Sequence, residues 1–321
     1  MLGFMVKLFL SGVVIGLVSI QVFAAPMEIE AAGPEGVLRG ILISAQASDS
    51  PVALIVPGSG PTDHDGNNPL GLKTDTYRLL AEGLSAKGVS TARIDKRGMY
   101  SSAQAVKNPN AVTIDDYAAD IKSWVSTLRQ KTGARCIWLV GHSEGGLVSL
   151  VAVQNSEDIC GLVLVAVAGK SLGQLLREQL KANPENAPIM KEAETIISKL
   201  EAGNRVDASN INPVLLPIFH PEVQGFLISE LMLDPAKLVA QVKKPVLIAQ
   251  GMRDIQVSVE AAGLLKNANP QAELKLLENT NHVLKTVERD DRNANLQTYS
   301  NPSLPLAANV VDSINSFIQK H

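Results

Sequence analysis

The chain has 321 residues, of which 45% are hydrophobic and 19% are charged, and its formal net charge is −3. This length fits one large α/β domain or two small ones, and the apolar fraction is sufficient for a sizeable core. Acidic and basic residues are spread along the chain, and since no basic block is present we expect no nucleic-acid partner.

Residues 1–24 have the pattern of a secretory signal peptide. Lys7 closes a short amino-terminal region, and residues 8–20 form an uncharged, mostly apolar run that is short for a membrane span. Val22 and Ala24 place small residues at the positions that a signal peptidase reads. We therefore expect an exported protein, periplasmic or extracellular, without stable membrane insertion once the segment is removed. A retained membrane anchor is the alternative.

After residue 25 the sequence predicts strands that alternate with helices. Residues 27–45 alternate in polarity around a turn at 33–36, which indicates an antiparallel hairpin. Further strands are predicted at 51–56, 89–94, 136–140, 161–167, 245–250 and 273–277, and helices at 77–87, 114–130, 144–154 and 307–319. Most of these strands are near-continuous apolar runs, so we expect an α/β fold with a mostly parallel sheet and helices on both faces.

The alternation breaks between residues 169 and 241. Helical spacing occurs there at 172–182, 189–200 and 223–233, prolines punctuate the stretch, and no strand is predicted. We interpret 169–241 as a helical cap inserted into a sheet domain that comprises 25–168 and 242–321.

Two cysteines, Cys136 and Cys160, begin two consecutive predicted strands. The starting ends of parallel strands share one edge of a sheet, so adjacent strands would bring the two thiols close together. A disulfide would close a loop of about 24 residues and contribute around 3 kcal/mol; two buried free thiols are the alternative. Neither Cys has a metal-ligand neighbour at a useful spacing, so we expect no metal site.

Residues 141–145 have the pattern Gly-x-Ser-x-Gly between a predicted strand and a predicted helix. Turning from strand to helix in so few residues strains the backbone of Ser143, and side chains at Gly141 and Gly145 would clash. Such a turn lifts the hydroxyl out of the sheet edge and predicts Ser143 as a nucleophile. A glycine-lined turn without chemistry is the alternative.

A serine hydroxyl needs a base to take its proton, and the chain has five histidines. His282 follows the last predicted strand, so it would emerge at the same sheet edge as Ser143. The other four lie beside the serine, in the predicted cap, at the end of the chain and in a glycine- and aspartate-rich loop: His142, His220, His321 and His64. Of these, His64 stays open as an alternative base.

Asp254 is the only carboxylate directly after the predicted strand 245–250. There it would hold the tautomer of His282 and stabilise the imidazolium without itself being protonated. The order Ser, Asp, His along the chain is that of α/β hydrolases rather than that of chymotrypsin or subtilisin.

A developing oxyanion needs preorganised N–H donors. We expect one from the backbone of Glu144 and the other from Ser59 or Gly60, because Pro61 has no N–H to give. The polar side chains near the same edge are interpreted as loop or ion-pair residues rather than catalytic ones: Glu144, Asp63, Asp65 and Arg97. Residues 62–66 lack the later ligands of a calcium site.

Three segments, 58–66 (Gly-Ser-Gly-Pro-Thr-Asp-His-Asp-Gly), 94–98 (Ile-Asp-Lys-Arg-Gly) and 141–146 (Gly-His-Ser-Glu-Gly-Gly), carry a resemblance to known proteins. Across essentially the whole mature chain the sequence resembles the α/β-hydrolase superfamily. More narrowly, it is similar to a bacterial group of exported serine carboxylesterases or S9-peptidase-like hydrolases, whose members often carry Arg where this chain has His64. The resemblance implies an α/β-hydrolase fold and a serine mechanism.

Together these features predict hydrolysis of small or medium carboxylic esters through an acyl-enzyme on Ser143, without metal or organic cofactor. One alternative is a serine aminopeptidase or amidase with the same triad, in which a pocket carboxylate such as Glu144 or Glu230 would bind the substrate amine. Another is a non-catalytic binding protein on the same scaffold, although such a chain would normally have lost a triad member.

Overall fold

The computed structural model describes residues 25–47 and 49–321, so the predicted signal peptide lies outside the described residues. One sheet of eight strands runs through this part of the chain: β1 (Met27–Ala32), β2 (Val37–Ile43), β3 (Val52–Val56), β4 (Ser90–Ile94), β5 (Ile137–His142), β6 (Ile159–Val165), β7 (Val246–Gly251) and β8 (Glu273–Leu277). Their order is β1-β2-β4-β3-β5-β6-β7-β8. The pairs β1/β2 and β2/β4 are antiparallel and the others are parallel, which confirms the predicted hairpin and mostly parallel sheet.

Helices cover both faces of this sheet, as predicted. They are α1 (Thr76–Ser85), α2 (Ile114–Thr132), α3 (Glu144–Ala152), α4 (Leu172–Ala182), α5 (Met190–Glu201), α6 (Leu216–Phe219), α7 (Gln224–Leu231), α8 (Pro235–Gln241), α9 (Val259–Ala268), α10 (Arg292–Gln297) and α11 (Asn309–Lys320). Successive residues of a strand point to opposite faces. Accordingly Leu54 packs in the core beneath α2, α3 and α9, whereas its neighbour Ile55 packs in the core beneath α1 and α11.

The central helix α2 shows how local sequence sets an element boundary. Its N-cap residue Thr113 accepts a hydrogen bond from the N–H of Asp116, whose carboxylate accepts one from the N–H of Thr113 in return. This reciprocal pair satisfies two N–H groups that a helix start otherwise leaves without partners. Gly133 ends the helix in the left-handed conformation, with φ of 74°.

Four helices of the predicted cap, α4 to α7, bury an apolar cluster of their own that includes Ile196, Leu200 and Phe219. The short helix α6 was not predicted, nor was the fifth helix, α8, because the prolines of this stretch, Pro235 among them, were interpreted as interruptions. Pro235 is instead the first residue of this helix, where its missing N–H costs nothing, and Asp234 caps it. Val239 of α8 packs in the main core, so α8 ties the cap segment to the sheet domain.

No helix in the described ranges is both long and apolar enough to cross a membrane.

The register of the parallel strands brings several loops to one edge of the sheet. Val56, the last residue of β3, pairs with Gly141 near the end of β5, and Gly251 at the end of β7 pairs with Leu277 at the end of β8. The loops that follow these four strands therefore emerge together. They carry every residue that the sequence analysis placed in catalysis.

At the opposite edge, Cys136 and Cys160 are joined by a disulfide, with Cα atoms 5.1 Å apart. The bond links the starts of the neighbouring strands β5 and β6 across a sequence separation of 24 residues. It lies away from the loops at the carboxyl edge, so we expect it to act on stability rather than on chemistry.

Replacing both cysteines by serine is expected to lower the free energy of unfolding by about 3 kcal/mol, because the unfolded chain regains the entropy that the cross-link removes. Urea unfolding of the oxidised protein and of the double variant measures this difference. Reduced wild-type protein is the matched control and should unfold near the variant. Equal midpoints for the oxidised protein and the variant would show that the disulfide is not stabilising.

Candidate active site

Ser143 lies in the sharp turn between β5 and α3, with φ of 53° and ψ of −124°. The turn needs glycine on both sides. A Cβ at Gly141 would lie 2.5 Å from the carbonyl oxygen of Gly145, and a Cβ at Gly145 would lie 2.2 Å from that of Val56. A left-handed backbone is unfavourable for serine, so the surrounding packing holds Ser143 in a strained conformation of the kind that clusters at functional sites.

His282 and Asp254 are paired at the same edge. The Nδ1 atom of His282 lies 2.8 Å from Oδ2 of Asp254, and the side chains are 6% and 0% exposed, respectively. Oδ1 of Asp254 accepts hydrogen bonds from the backbone N–H groups of Gln256 at 2.7 Å and Val257 at 2.9 Å. Burial acts to raise the pKa of Asp254, but its hydrogen bond with His282 and these two N–H groups keep it below its usual value. The carboxylate is therefore ionised and fixed.

The pairing assigns the two nitrogens of His282 to different partners. Ionised Asp254 can only accept, so Nδ1 carries a proton and Nε2 is left free to accept one. In this structure no hydrogen bond joins Nε2 to the hydroxyl of Ser143, and catalytic hydrogen bonds of this kind often tighten only when substrate binds. The structure thus brings together two of the three predicted triad members directly.

The turn that carries Ser143 is linked to His282 through His142, the residue before the serine. Its Nε2 lies 2.8 Å from the backbone carbonyl oxygen of His282, and its Nδ1 lies 2.9 Å from the hydroxyl of Tyr77. A carbonyl oxygen only accepts, so Nε2 of His142 donates and Nδ1 accepts from the Tyr77 hydroxyl. Burial, together with repulsion from His282, lowers the pKa of His142 to about 3, so the ring is neutral.

Tyr77 extends this chain to the loop after β3, because its hydroxyl accepts a hydrogen bond from the N–H of Gly58 at 2.9 Å. The carbonyl oxygen of Gly58 accepts from Nζ of Lys96 at 2.7 Å. Both the N–H and the carbonyl group of Gly58 therefore have hydrogen-bond partners. We call the series Gly58, Tyr77, His142, His282 the buried relay; it fixes the loop after β3, the turn at Ser143 and the loop after β8 relative to one another.

Tyr77→Phe is expected to lower kcat for the hydrolysis predicted from the sequence by about tenfold, because it leaves a buried N–H and a buried imidazole nitrogen without partners. KM should change less, since Tyr77 does not line the cavity at Ser143. Steady-state kinetics beside a thermal unfolding curve measure both effects. Tyr117→Phe is the matched control, since Tyr117 is a buried tyrosine whose hydroxyl bonds to none of the described residues. Equal kcat values for the two variants would show that Tyr77 does not act by positioning the other residues of the buried relay.

A cavity of about 390 Å³ opens beside Ser143, between the carboxyl edge of the sheet and the cap. Its wall is partly aliphatic and partly polar: Leu147, Val167, Leu172, Leu175, Leu233, Ile255 and Val257 lie there beside Glu144, Lys170, Gln179, Glu230 and Gln256. Of the two loop residues predicted as oxyanion donors, Ser59 lines this cavity, whereas Gly60 lies outside its wall. Since the N–H of Gly58 is used by Tyr77, Ser59 is the loop residue placed to donate. Glu144 lies opposite in the first turn of α3, where backbone N–H groups have no partners within the helix.

His64, the alternative base, lies elsewhere. Its Nδ1 is 3.0 Å from Oδ1 of Asp95, and it lines a separate surface cavity with Ser101 and Arg39. The hydrogen bond with Asp95 raises the pKa of His64 against the effect of burial. The two other histidines are also remote, since His220 is exposed in the cap and His321 lies near Glu273.

The polar residues interpreted as structural do hold loops. Arg97 forms ion pairs with Asp120 at 2.6 Å and Asp116 at 2.9 Å, and Asp65 is paired with Arg93 at 2.8 Å. The carboxylate of Asp63 accepts hydrogen bonds from the N–H groups of Asp65 and Asn67, which closes the turn that begins at residue 63. Sequence reasoning missed Tyr77, whose one available signal was a tyrosine on the inward face of a predicted helix, where a buried hydroxyl needs a partner.

This sheet topology, with a strained serine turn after β5 and an aspartate–histidine pair after β7 and β8, is that of an α/β hydrolase. The fold matches that of Est1E from Butyrivibrio proteoclasticus with a TM-score of 0.57, at 16% identity, over 91% of this chain and 98% of that one. The chain belongs to the family described as serine aminopeptidase, S33, whose model matches residues 70–290.

Two curated relatives are similar in sequence. "Lipase 1" of Psychrobacter immobilis is 26% identical over 188 residues, which are 54% of this chain and 58% of that lipase. The chain thus spans little more than half the length of this relative. A "monoglyceride lipase homolog" of monkeypox virus is 23% identical over 247 residues, which are 73% of this chain and 83% of the viral protein.

Proposed function

We propose that the protein is an exported serine carboxylesterase that acts on small or medium acyl esters. The observation that carries this proposal is the fixed Asp254–His282 pair, 2.8 Å apart, at the sheet edge where the strained turn presents Ser143 to a cavity. The names of the two curated relatives, a lipase and a monoglyceride lipase homolog, support ester bonds as the substrate. The cavity volume of about 390 Å³ suits a small or medium acyl group.

The proposed reaction begins when Nε2 of His282 takes the proton of the Ser143 hydroxyl, whose oxygen attacks the acyl carbon. The negative charge that develops on the carbonyl oxygen is stabilised by the N–H groups of Glu144 and Ser59. The protonated imidazole, stabilised by Asp254, then donates its proton to the leaving alcohol oxygen. Water repeats the same steps on the acyl-enzyme, releases the acid and restores the serine.

Export and membership of the narrower S9-peptidase-like group belong to the same proposal. Export is supported by the signal-peptide pattern of residues 1–24 and by the Cys136–Cys160 disulfide, since such bonds persist mainly outside the cytosol. Mass spectrometry of the protein recovered from its native host tests it, because cleavage after Ala24 leaves Ala25 as the first residue.

A second candidate function is that of an aminopeptidase or amidase using the same three residues. Two observations favour it: the description of the family, and the two carboxyl groups of Glu144 and Glu230 in the cavity wall, where a substrate amine would need them. An amide and an ester differ in the leaving group that His282 must protonate, and the triad serves both.

The distinguishing experiment compares p-nitrophenyl acyl esters, from acetate to long chains, with aminoacyl p-nitroanilides on the purified mature protein. We expect ester turnover with the highest kcat/KM at a short or medium chain, and weak or no amide turnover. A fluorophosphonate should label one serine, Ser143, and abolish the activity. Faster turnover of the aminoacyl amides would replace the esterase by the aminopeptidase, and no turnover of either class would overturn both.

A further inference from the structure

The segment 95–98 (Asp-Lys-Arg-Gly) follows β4 at the carboxyl edge of the sheet, and the reaction proposed above gives it no part. Its lysine, Lys96, is only 6% exposed, although lysines are almost never buried unless they are paired. The next residue, Arg97, already anchors the segment through its ion pair with Asp120 at 2.6 Å. The burial of Lys96 therefore calls for a role of its own.

The ammonium group of Lys96 is held from several sides. Its Nζ donates a hydrogen bond to the carbonyl oxygen of Gly58 at 2.7 Å, and it lies 3.5 Å from the carboxylate of Glu144. The centroid of the Tyr117 ring lies 5.3 Å from the same atom. The carboxylate and the ring both favour a cation at this position, and a charged donor makes a stronger hydrogen bond than a neutral one. The carbonyl group of Gly58 is therefore bound by a strong donor that is itself fixed.

The carbonyl group of Gly58 and the N–H group of Ser59 belong to one peptide unit. In a planar trans peptide these two groups point in opposite directions, and no cis peptide bond occurs among the described residues. Gly58 is buried and its carbonyl oxygen points to Lys96, whereas Ser59 is exposed and lines the cavity at Ser143. The N–H of Ser59 therefore points away from Lys96, and it has no hydrogen-bond partner in the part of the chain that the structure describes.

This peptide unit lies against the turn that carries Ser143. A Cβ at Gly58 would lie 3.2 Å from the Cβ of Ser143 and 3.3 Å from the carbonyl oxygen of His142. On the other side of Ser59, its own carbonyl oxygen accepts a hydrogen bond from the hydroxyl of Thr62 at 3.1 Å. Both peptide units that Ser59 shares with its neighbours are therefore held, and the first of them lies beside the serine.

We propose that Lys96 is a positioning residue for the oxyanion: by binding the carbonyl oxygen of Gly58, it turns the N–H of Ser59 toward the carbonyl oxygen of the substrate. This inference rests on the proposed esterase function and gives a role to a residue outside the triad. Without the ammonium group the peptide unit is free to rotate and to direct its own carbonyl oxygen at the developing charge. Because that charge exists only in the transition state, the effect falls on kcat rather than on KM.

The test is Lys96→Met, which keeps an unbranched apolar side chain and removes the donor. We expect kcat for the best p-nitrophenyl ester to fall by about 100-fold and KM to stay within about threefold, since loss of one oxyanion donor costs about 10²–10³ in kcat. Hexyl trifluoromethyl ketone provides a second readout. The oxygen of Ser143 adds to its carbonyl carbon, the hydroxyl proton passes to His282, and the carbonyl oxygen becomes an anion. The inhibition constant Ki of this ketone should rise by about 100-fold in the variant.

Two controls separate orientation from other effects. Lys96→Met also removes the partner of the Glu144 carboxylate, so the double variant Lys96→Met/Glu144→Gln is compared with Glu144→Gln alone. The double variant has no uncompensated charge but still lacks the donor to Gly58, and it should keep most of the loss. Lys285→Met is the matched control, since Lys285 is fully buried and its Nζ also donates to a backbone carbonyl oxygen, that of Leu304, outside the cavity wall. It should lower the unfolding temperature and leave the ratio of ketone Ki to ester KM within about threefold.

Several results would overturn this role. Wild-type kcat and ketone Ki in folded Lys96→Met would reject it and leave the esterase function standing. Recovery of both values in the double variant would show that Lys96 balances the charge of Glu144 and does not orient the peptide. Equal changes of the Ki-to-KM ratio in Lys96→Met and Lys285→Met would assign the loss to a general loosening of the fold. No ester turnover by the wild-type protein would reject the esterase function, and the positioning role with it.

Discussion

Ser143→Ala is expected to lower kcat for ester hydrolysis by about 10⁴-fold or more, since the variant lacks the proposed nucleophile and retains only the proposed oxyanion donors and the cavity. KM should stay similar, because a methyl group in place of the hydroxyl changes little of the cavity wall. The measurement is release of p-nitrophenol from the best acyl ester, with each protein first shown to unfold at the wild-type temperature. The turn itself should survive, since its geometry depends on Gly141 and Gly145.

The matched control for this variant is Ser171→Ala. Ser171 precedes α4 near the cap, and its side chain makes no capping hydrogen bond, so turnover should stay within about twofold of wild type. Residual activity of the Ser143 variant above a tenth of wild type, with the fluorophosphonate adduct found on another residue, would move the nucleophile elsewhere and contradict the proposed mechanism.

The sequence allowed prediction of those features that a short stretch of chain determines by itself. The turn at Ser143 is one, since two glycines around a serine between an apolar strand and a helix leave few other conformations. The placement of Asp254 and His282 is another, because parallel strands end at one edge of the sheet whatever their order. The alternation of strands and helices alone therefore predicts that Asp254 and His282 lie at the same edge of the sheet.

The buried relay could not be predicted in the same way. It joins Tyr77 to His142 across 65 residues and His142 to His282 across 140, and no local pattern specifies which buried polar groups meet. Helix α8 was missed for a different reason. In a sequence, a proline that begins a helix looks the same as a proline that breaks one. The structure distinguishes them, because the side chain of Asp234 accepts N–H groups of the first turn and so caps the helix. The relay therefore depends on tertiary contacts, whereas the start of α8 is set by a local cap.

The strand after the serine helix shows a smaller discrepancy. It was predicted at 161–167 and is observed as Ile159–Val165. Ala166 adopts φ of 53°, which ends the extended conformation two residues earlier than the apolar run does. The apolar run continues past the end of the strand because Val167 lines the cavity. One apolar run therefore covers both a strand and part of the cavity wall.

Asp254→Asn is the second substitution with a large expected effect, and the structure indicates how it acts. Oδ1 of Asp254 accepts two backbone N–H groups, from Gln256 and Val257, so an asparagine would keep its oxygen there. Its NH₂ group would then face Nδ1 of His282 and donate to it. His282 would have to carry its proton on Nε2, the atom that accepts the proton of Ser143 in the proposed mechanism, and kcat should fall by about 10⁴-fold.

Asp63→Asn provides the control for this argument, because the Asp63 carboxylate also accepts two backbone N–H groups but has no histidine partner. Its amide oxygen can keep both bonds, so kcat should remain within about threefold of wild type. Steady-state kinetics at neutral pH compare the two variants, and thermal unfolding shows whether each is folded. If Asp254→Asn retained more than a tenth of wild-type kcat, the aspartate would not be setting the tautomer of His282. If both variants lost activity equally, the loss would come from the loops that the carboxylates close rather than from the proton on the imidazole.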